Sequence, residues 1–163
     1  MTPVEDAAAA VAQYVEVQMF YAHQMHSGDN ADFPTWIETF TEDAVVYANA
    51  WPDPAVGRDA IQAAGKFSSD ERENRGAVGK HIVSMIKLTP DSLDGYEDAV
   101  TANYYVEVVE AFKGQPLPVA YRSNRFEDRL VRSGGRWFVR SRKIMRDDLP
   151  AHAGSVGLAT AAA

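Results

Sequence analysis

The sequence predicts a single α+β domain, and three observations support this prediction. Apolar residues recur at helical spacing in the first 70 residues, whereas four segments after Gly79 are rich in β-branched and aromatic residues. Turn residues separate these four segments, so consecutive strands can pair antiparallel. Helices followed by a run of strands are typical of α+β proteins. At 163 residues, 46% of them hydrophobic, the chain is long enough for one core.

Three helices are predicted in the first part of the chain. Residues 4–25 are rich in helix formers, and Gly28 predicts the end of this helix. Its predicted apolar stripe carries Val11, Tyr14, Val15, Gln18, Tyr21, Ala22 and Met25. Asp32 is a suitable N-cap for a short second helix with a proline in its first turn. A third helix is expected over residues 57–67, and the charged stretch 68–79 is interpreted as a solvated loop.

Five strands are predicted, over residues 43–50, 80–88, 99–112, 119–131 and 136–145. In the long third strand, alternation puts Thr101, Asn103, Tyr105 and Glu107 on one face and a drier set on the other. The polar face suits a cavity lining, a solvated sheet face or a subunit interface, and the residues alone leave these alternatives open. We expect one domain over residues 1–150 and a loosely held alanine-rich tail over 151–163.

The composition excludes several classes of function. A formal net charge of -7 and a pI near 5.0 disfavour nucleic acid and anionic membranes as partners. The absence of cysteine excludes disulfides, a thiol nucleophile, thiolate zinc sites and iron-sulfur clusters ligated by cysteine. The N-terminus carries acidic residues where a secretory signal needs basic ones, and no apolar run is long enough to span a bilayer. We therefore expect a cytoplasmic protein.

Histidines are the strongest candidates for chemistry. His81 begins a strand of nearly all apolar neighbours, so its imidazole is expected to be partly buried and to serve either as an acid or base or only as a hydrogen-bonding group. His23, His26 and Asp29 are three residues apart, a spacing compatible with a metal site. Because Gly28 is expected to break the helix before Asp29, we favour an acid/base role for His26 and predict no metal site.

Other catalytic signatures are missing from the sequence. Residues 76–81 resemble a phosphate-binding loop superficially, but the glycine spacing is wrong and no serine or threonine follows the lysine. The chain also lacks a GxSxG nucleophile elbow and a glycine-rich dinucleotide fingerprint. Proton transfer within a pocket is the chemistry that remains.

Several segments together make the chain resemble the SnoaL-like branch of the nuclear transport factor 2-like superfamily, which includes polyketide cyclases and, more distantly, scytalone dehydratase. The resemblance extends over residues 8–149 and is carried by residues 21–26, 36–44, 57–61, 79–82 and 135–142. It implies a cone-shaped α+β barrel in which about three N-terminal helices wrap a strongly curved, mixed, mainly antiparallel sheet. It also implies one deep pocket and assembly into homodimers or larger homo-oligomers.

The resemblance implies a set of site residues. His81 matches the catalytic strand histidine, and His26 falls where many relatives have aspartate. These two would exchange a proton with the substrate, while Tyr47 and Asn103 would stabilise an enolate oxygen. The residues expected to bind the substrate are Tyr21, Met25, Asn103, Tyr105 and Asn124.

The function implied is that of a cofactor-independent enzyme of natural-product biosynthesis that cyclises or dehydrates a small hydrophobic, polyketide-like substrate carrying a carbonyl. Because the superfamily reuses one cavity for many purposes, a noncatalytic small-molecule binder is the first alternative. Residues 142–149 also resemble the small subunit of aromatic-ring-hydroxylating dioxygenases, a structural subunit that depends on a large iron-bearing partner.

Overall fold

The computed structural model describes residues 3–150, so the predicted tail at 151–163 lies outside the described residues. Three helices and six strands follow one another along the chain: α1 Pro3–Asp29, α2 Phe33–Ile37, β1 Phe40–Ala48, β2 Ala55–Val56, α3 Gly57–Asn74, β3 Ala77–Asp91, β4 Asp98–Phe112, β5 Val119–Ser133 and β6 Arg136–Arg146. The α+β class is confirmed. The two-residue strand β2 was not predicted.

The six strands form one mixed sheet in the order β2-β1-β6-β5-β4-β3. Strand β1 runs parallel to β6, and every other neighbouring pair is antiparallel. Register shifts interrupt four of the five ladders, and bulges of this kind bend the strands that carry them. The sheet is curved, as expected, but it does not close into a barrel, because β2 and β3 remain as edges.

The first helix is longer than predicted, and its buried stripe agrees with the predicted one only in part. It continues through Gly28 to Asp29, and its buried side chains include Val17, Tyr21 and Met25. Val11 and Val15, which were assigned to the apolar stripe, are exposed. No helix within residues 3–150 combines the length and the hydrophobicity needed to cross a bilayer.

The other two helices follow the sequence signals in part. Asp32 caps α2 as predicted, because its Oδ1 accepts a hydrogen bond from the Thr35 backbone amide at 3.3 Å. Helix α3 runs seven residues past its predicted end at Phe67, so most of the expected loop 68–79 is helix or strand. Most of its charged residues, such as Asp70 and Glu73, are exposed on a helix that buries Ile61, whereas Arg72 is only partly exposed.

The core lies between α1, α3 and one face of the sheet, here called the inner face. Alternate residues of the central strands supply it, including Val106 from β4, Leu130 from β5 and Val139 from β6, all fully buried. The helices cover this face only partly, and the space that they leave open is the cavity described next.

Candidate functional site

A cavity opens between the helices and the inner face of the sheet. Its inner section has a volume of about 160 Å³ and mainly apolar walls, formed by Met25, Phe33, Trp36, Phe40, Val46, Trp51, Ile61, Phe126 and Ile144. Polar side chains reach this section at a few points, notably His81, Arg72 and Arg142. An apolar cavity with a few convergent polar groups is the usual form of a small-molecule site.

A wider outer section, here called the mouth, continues from the inner cavity. The mouth has a volume of about 440 Å³ and shares six lining residues with the inner section, Trp51, Ser68, Arg72, His81, Phe126 and Ile144. His81 therefore lies where the two sections meet. A ligand that extends from one section into the other would contact this imidazole.

His81 and Asp29 form a hydrogen-bonded pair at that junction. The Nδ1 atom of His81, at the start of β3, lies 2.5 Å from Oδ1 of Asp29, the last residue of α1. The backbone amide of His81 also donates to Oδ2 of Asp29 at 2.9 Å. The carboxylate therefore holds both the ring and the backbone of His81, and it can do so because α1 continues through Gly28.

The ionisation of Asp29 decides which nitrogen of His81 carries the proton. Burial raises the pKa of Asp29, but the hydrogen bonds and the charge of His81 outweigh this effect, and the pKa is lowered overall. Asp29 is therefore an acceptor, and Nδ1 of His81 must donate to it. In the neutral ring this leaves Nε2 as an acceptor for a substrate proton.

A buried ionic network lies behind the inner cavity. Arg142 donates to Oδ1 and Oδ2 of Asp128 at 2.8 and 2.7 Å, and its Nη2 also donates to Oε1 of Gln24 at 2.6 Å. The hydroxyls of Tyr21 and Tyr104 donate to Asp128 at 3.0 and 2.8 Å. Burial raises the pKa of both tyrosines, as does Asp128, so their hydroxyls remain protonated donors.

Arg142 connects this network to the cavity. Its Nε and Nη2 atoms are occupied by Asp128 and Gln24, while its Nη1 has no hydrogen bond among the described residues. The rings of Phe40 and Phe126 hold the guanidinium in place, each with its centroid 5.4 Å from the central carbon. Since Arg142 lines the inner cavity, Nη1 is the donor that remains for a ligand oxygen.

The structure brings only some of the predicted site residues together. Met25 and His81 line the inner cavity, and Asn124 lines the mouth, where its amide donates to the Val106 carbonyl at 2.9 Å. Tyr21 lies behind the cavity, in the network around Asp128. These four residues share the inner side of the sheet.

The other four predicted residues lie elsewhere. Tyr47, Asn103 and Tyr105 lie on the outer face of the sheet, because their strand neighbours on either side point inward, and Tyr105 is 53% exposed. Placing them in the pocket was wrong. His26 is an exposed residue of α1 and does not line the cavity. Asp29, one turn further along the helix, occupies the place beside His81 that we had assigned to His26.

Sequence reasoning missed Asp29, Asp128 and Arg142. Asp128 and Arg142 did leave a signal, since each stands on a buried strand face two residues from an apolar neighbour, Phe126 or Ile144. A charge in such a position needs a buried partner of opposite sign. Asp29 was set aside because Gly28 was interpreted as a helix terminator.

Within residues 3–150, the histidine and acidic side chains do not gather into a metal-binding group. Among the described residues, no three His, Asp or Glu side chains converge in a way that could hold a metal ion. His23 and His26 are exposed on α1, while Asp29 turns toward His81.

Comparison with known proteins identifies relatives of the same fold. The chain matches a family described as SnoaL-like domain over residues 9–143. It is similar to ActVI-ORFA from Streptomyces coelicolor, with a TM-score of 0.76 and 28% identity over 86% of this chain and 98% of that one. It is also similar to Aln2 from another Streptomyces species, with a TM-score of 0.75 and 30% identity over 84% and 92% of the two chains.

A third similar structure contains a ligand. This Catenulispora acidiphila protein, in complex with S-DNPA, has a TM-score of 0.70 and 31% identity over 84% of this chain and 95% of that one. No curated protein matched the chain. The family match includes α2, α3 and all of strands β1 to β5, and with them every residue that lines the inner cavity except Ile144. The chain therefore belongs to the SnoaL-like domain family, a family of cyclase- and dehydratase-type proteins.

Proposed function

We propose that this chain is an acid/base enzyme of natural-product biosynthesis that needs no cofactor and cyclises or dehydrates a hydrophobic, carbonyl-bearing, polyketide-like intermediate. The observation that carries the proposal is the His81–Asp29 pair at the wall of an apolar cavity that Arg142 also lines. Membership of the SnoaL-like family supports the class of reaction. The complex of a similar chain with S-DNPA supports ligand binding by this fold.

His81 is the proposed base. With Nδ1 bonded to the Asp29 carboxylate, the neutral ring presents Nε2 as a proton acceptor. The carboxylate also stabilises the imidazolium that forms after proton abstraction, as in other histidine–carboxylate pairs. Asp29 acts through His81 and is a positioning residue.

Arg142 is the proposed electrostatic partner of the substrate oxygen. Abstraction of a proton next to a carbonyl places negative charge on the carbonyl oxygen, and a fixed N–H donor in a water-poor site stabilises that charge. Asp128 and the two flanking aromatic rings hold Arg142 before any ligand arrives. This role replaces the one that we had assigned to Tyr47 and Asn103.

The proposed dehydration begins with proton abstraction. His81 takes a proton from the carbon next to the carbonyl, and the electron pair of that C–H bond forms the enolate. The enolate then re-forms the carbonyl and expels the hydroxyl from the β carbon, while the imidazolium returns its proton to the departing oxygen. One C–H and one C–O bond break, one C=C bond forms and one water leaves. In cyclisation the same enolate carbon attacks a second carbonyl of the molecule, so that a C–C bond forms, the π bond of that carbonyl breaks, and the imidazolium gives its proton to the resulting alkoxide.

Deuterium exchange tests the proton abstraction without knowledge of the natural substrate. We would incubate the protein in D₂O with tetralone, a bicyclic ketone, and follow loss of the proton signal next to the carbonyl by NMR. His81→Ala should slow the exchange catalysed by the protein about a hundredfold or more, the usual scale for a general base. A β-hydroxytetralone tests dehydration in the same way, because loss of water converts it to a naphthol.

His26→Ala is the matched control, because His26 is also a histidine but is exposed on α1 and lines neither section of the cavity. It should leave the exchange rate unchanged. Exchange by His81→Ala at the wild-type rate, in a protein with an unchanged circular dichroism spectrum, would contradict the proposal. Binding of tetralone by a wild-type protein that exchanges and dehydrates nothing would instead favour the noncatalytic binder.

A further inference from the structure

Four arginines line the mouth of the cavity. Arg72 comes from α3, Arg75 directly follows that helix as its C-cap, Arg122 comes from β5 and Arg146 from β6. They surround an opening whose apolar lining includes Trp51 and Phe67. The whole chain carries a formal charge of -7, so this concentration of guanidinium groups runs against its overall charge. Among the described residues, two acidic side chains line the same opening, those of Glu71 and Glu110.

Three of the four guanidinium groups have a carboxylate partner. Arg75 donates to both oxygens of the buried Glu110 at 2.8 and 2.7 Å, and Nε of Arg72 lies 4.0 Å from the same carboxylate. Arg146 donates to both oxygens of Asp148 at 3.0 and 2.6 Å. Glu110 and Asp148 are therefore engaged with these three arginines.

Arg122 is the exception. Within residues 3–150, no carboxylate lies within ion-pair distance of its guanidinium, which donates only to the hydroxyl of Tyr121 at 3.0 Å. Its Nε–H is buried and has no acceptor there. A buried N–H without an acceptor is costly unless another group completes its hydrogen bond.

The position of Arg122 is nevertheless well defined. Two guanidinium groups contact the Tyr121 ring, with the central carbons of Arg75 and Arg122 at 4.4 and 4.6 Å from its centroid. Stacking of this kind holds the planar group without neutralising its charge. Arg122 is therefore a positively charged group in a fixed position at the mouth, and the inner section of the cavity beyond it is mainly apolar.

We propose that Arg122 binds a carboxylate of the substrate at the mouth, so that the ligand is an aromatic or polycyclic keto acid rather than a neutral ketone. The inference rests on the proposed function, since the carbonyl end of the same molecule would lie further in, beside His81. A carboxylate fits better than a dianion, because one guanidinium lacks one partner. The planar guanidinium also presents parallel N–H donors that match the two oxygens of a carboxylate.

Binding measurements test this inference separately from catalysis. We would measure the affinity of the full chain for two probes, a tetralone carboxylate and its uncharged carboxamide, by isothermal titration calorimetry at pH 7 and low salt. The acid should bind at least about tenfold more tightly than the amide, as expected for a charge-assisted pair. Added salt should weaken the binding of the acid and leave the binding of the amide unchanged.

Arg122→Gln should remove the preference for the acid and leave the affinity for the amide unchanged. Arg122→Lys keeps the charge but loses the planar fork, and should retain part of the preference. Arg125→Gln is the matched control, because Arg125 is an exposed arginine of the same strand outside the cavity, and it should bind both probes as the wild type does.

Two results would overturn the inference. One is equal affinity of the wild type for acid and amide, and the other is an acid preference that survives in Arg122→Gln. Neither depends on turnover, so acid selectivity without deuterium exchange would count against the proposed reaction and not against the carboxylate site. Deuterium exchange of tetralone without acid selectivity would count against the carboxylate site and not against the proposed reaction.

Discussion

Substitution of Asp128 by asparagine should destabilise the fold severely. Asp128 is fully buried, and its Oδ2 accepts three hydrogen bonds, from Tyr21, Tyr104 and Nη2 of Arg142. Its Oδ1 accepts one, from Nε of Arg142. Asparagine can keep its oxygen at the position with three donors, but its amide group then faces an N–H of Arg142. The guanidinium loses both a hydrogen bond and the only carboxylate paired with it among the described residues.

The expected magnitude follows from the uncompensated charge. Removing one partner of a buried ion pair costs about 3–5 kcal/mol, against a total free energy of unfolding of about 5–15 kcal/mol for a typical domain. With a urea dependence of about 2 kcal/mol/M, the unfolding midpoint should fall by about 2 M. Urea titration followed by circular dichroism measures this midpoint directly.

The matched control is Asp147→Asn, which breaks an exposed ion pair to Arg125 on the same strand as Asp128. Arg125 and Asp147 are 64% and 41% exposed, and a pair of this kind contributes less than about 1 kcal/mol. If Asp128→Asn lowers the midpoint no more than Asp147→Asn does, Asp128 does not compensate the buried charge of Arg142. Tyr21→Phe adds a second check, because it should cost less in the Asp128→Asn background than in the wild type.

Two further predictions concern Asp29 and Gly79. Because the pKa of Asp29 is lowered on folding from its usual 3.8, its ionised form stabilises the fold above about pH 4, and this contribution is lost as the pH falls through the lowered value. The stability gap between wild type and Asp29→Asn should therefore be larger at pH 7 than at pH 3 in urea titrations, and an unchanged gap would contradict this. A Cβ at Gly79 would lie 2.7 Å from Cδ of Arg72, a flexible side chain. Gly79→Ala should thus alter binding of the tetralone probes with little change in melting temperature, whereas Lys80→Ala should change neither.

The fold was predictable because its elements are encoded locally. The four long strands begin and end within about three residues of their predicted limits, since alternation and turn residues mark both ends. The end of α1 was missed for a tertiary reason. A Cβ at Gly28 would lie 3.2 Å from the Trp36 indole, so this glycine makes room for a packed ring inside a helix and does not end it.

The site was predictable only in part, because alternation separates the two faces of a strand without indicating which one faces the cavity. In β4 the polar face, with Asn103 and Tyr105, was the natural candidate for a cavity lining. The buried face carries Tyr104, whose hydroxyl is satisfied by Asp128 on the neighbouring strand. Such partners are distant in sequence, as in the 107 residues that separate Tyr21 from Asp128, and no local pattern reveals them.

The electrostatics of the cavity favour proton transfer over simple storage of a ligand. Moving a proton from a C–H group of the substrate to the unprotonated ring of His81 creates a new cation and a new anion in a poorly solvated space, which is costly unless each new charge meets a fixed opposite one. The new cation would form in contact with Asp29, and the new anion could accept a hydrogen bond from Nη1 of Arg142. Both groups are held in place beforehand, so little reorganisation is needed when the charges appear. A cavity that only stored a hydrophobic ligand would need neither group, and apolar residues in their place would bind such a ligand without the cost of burying charge.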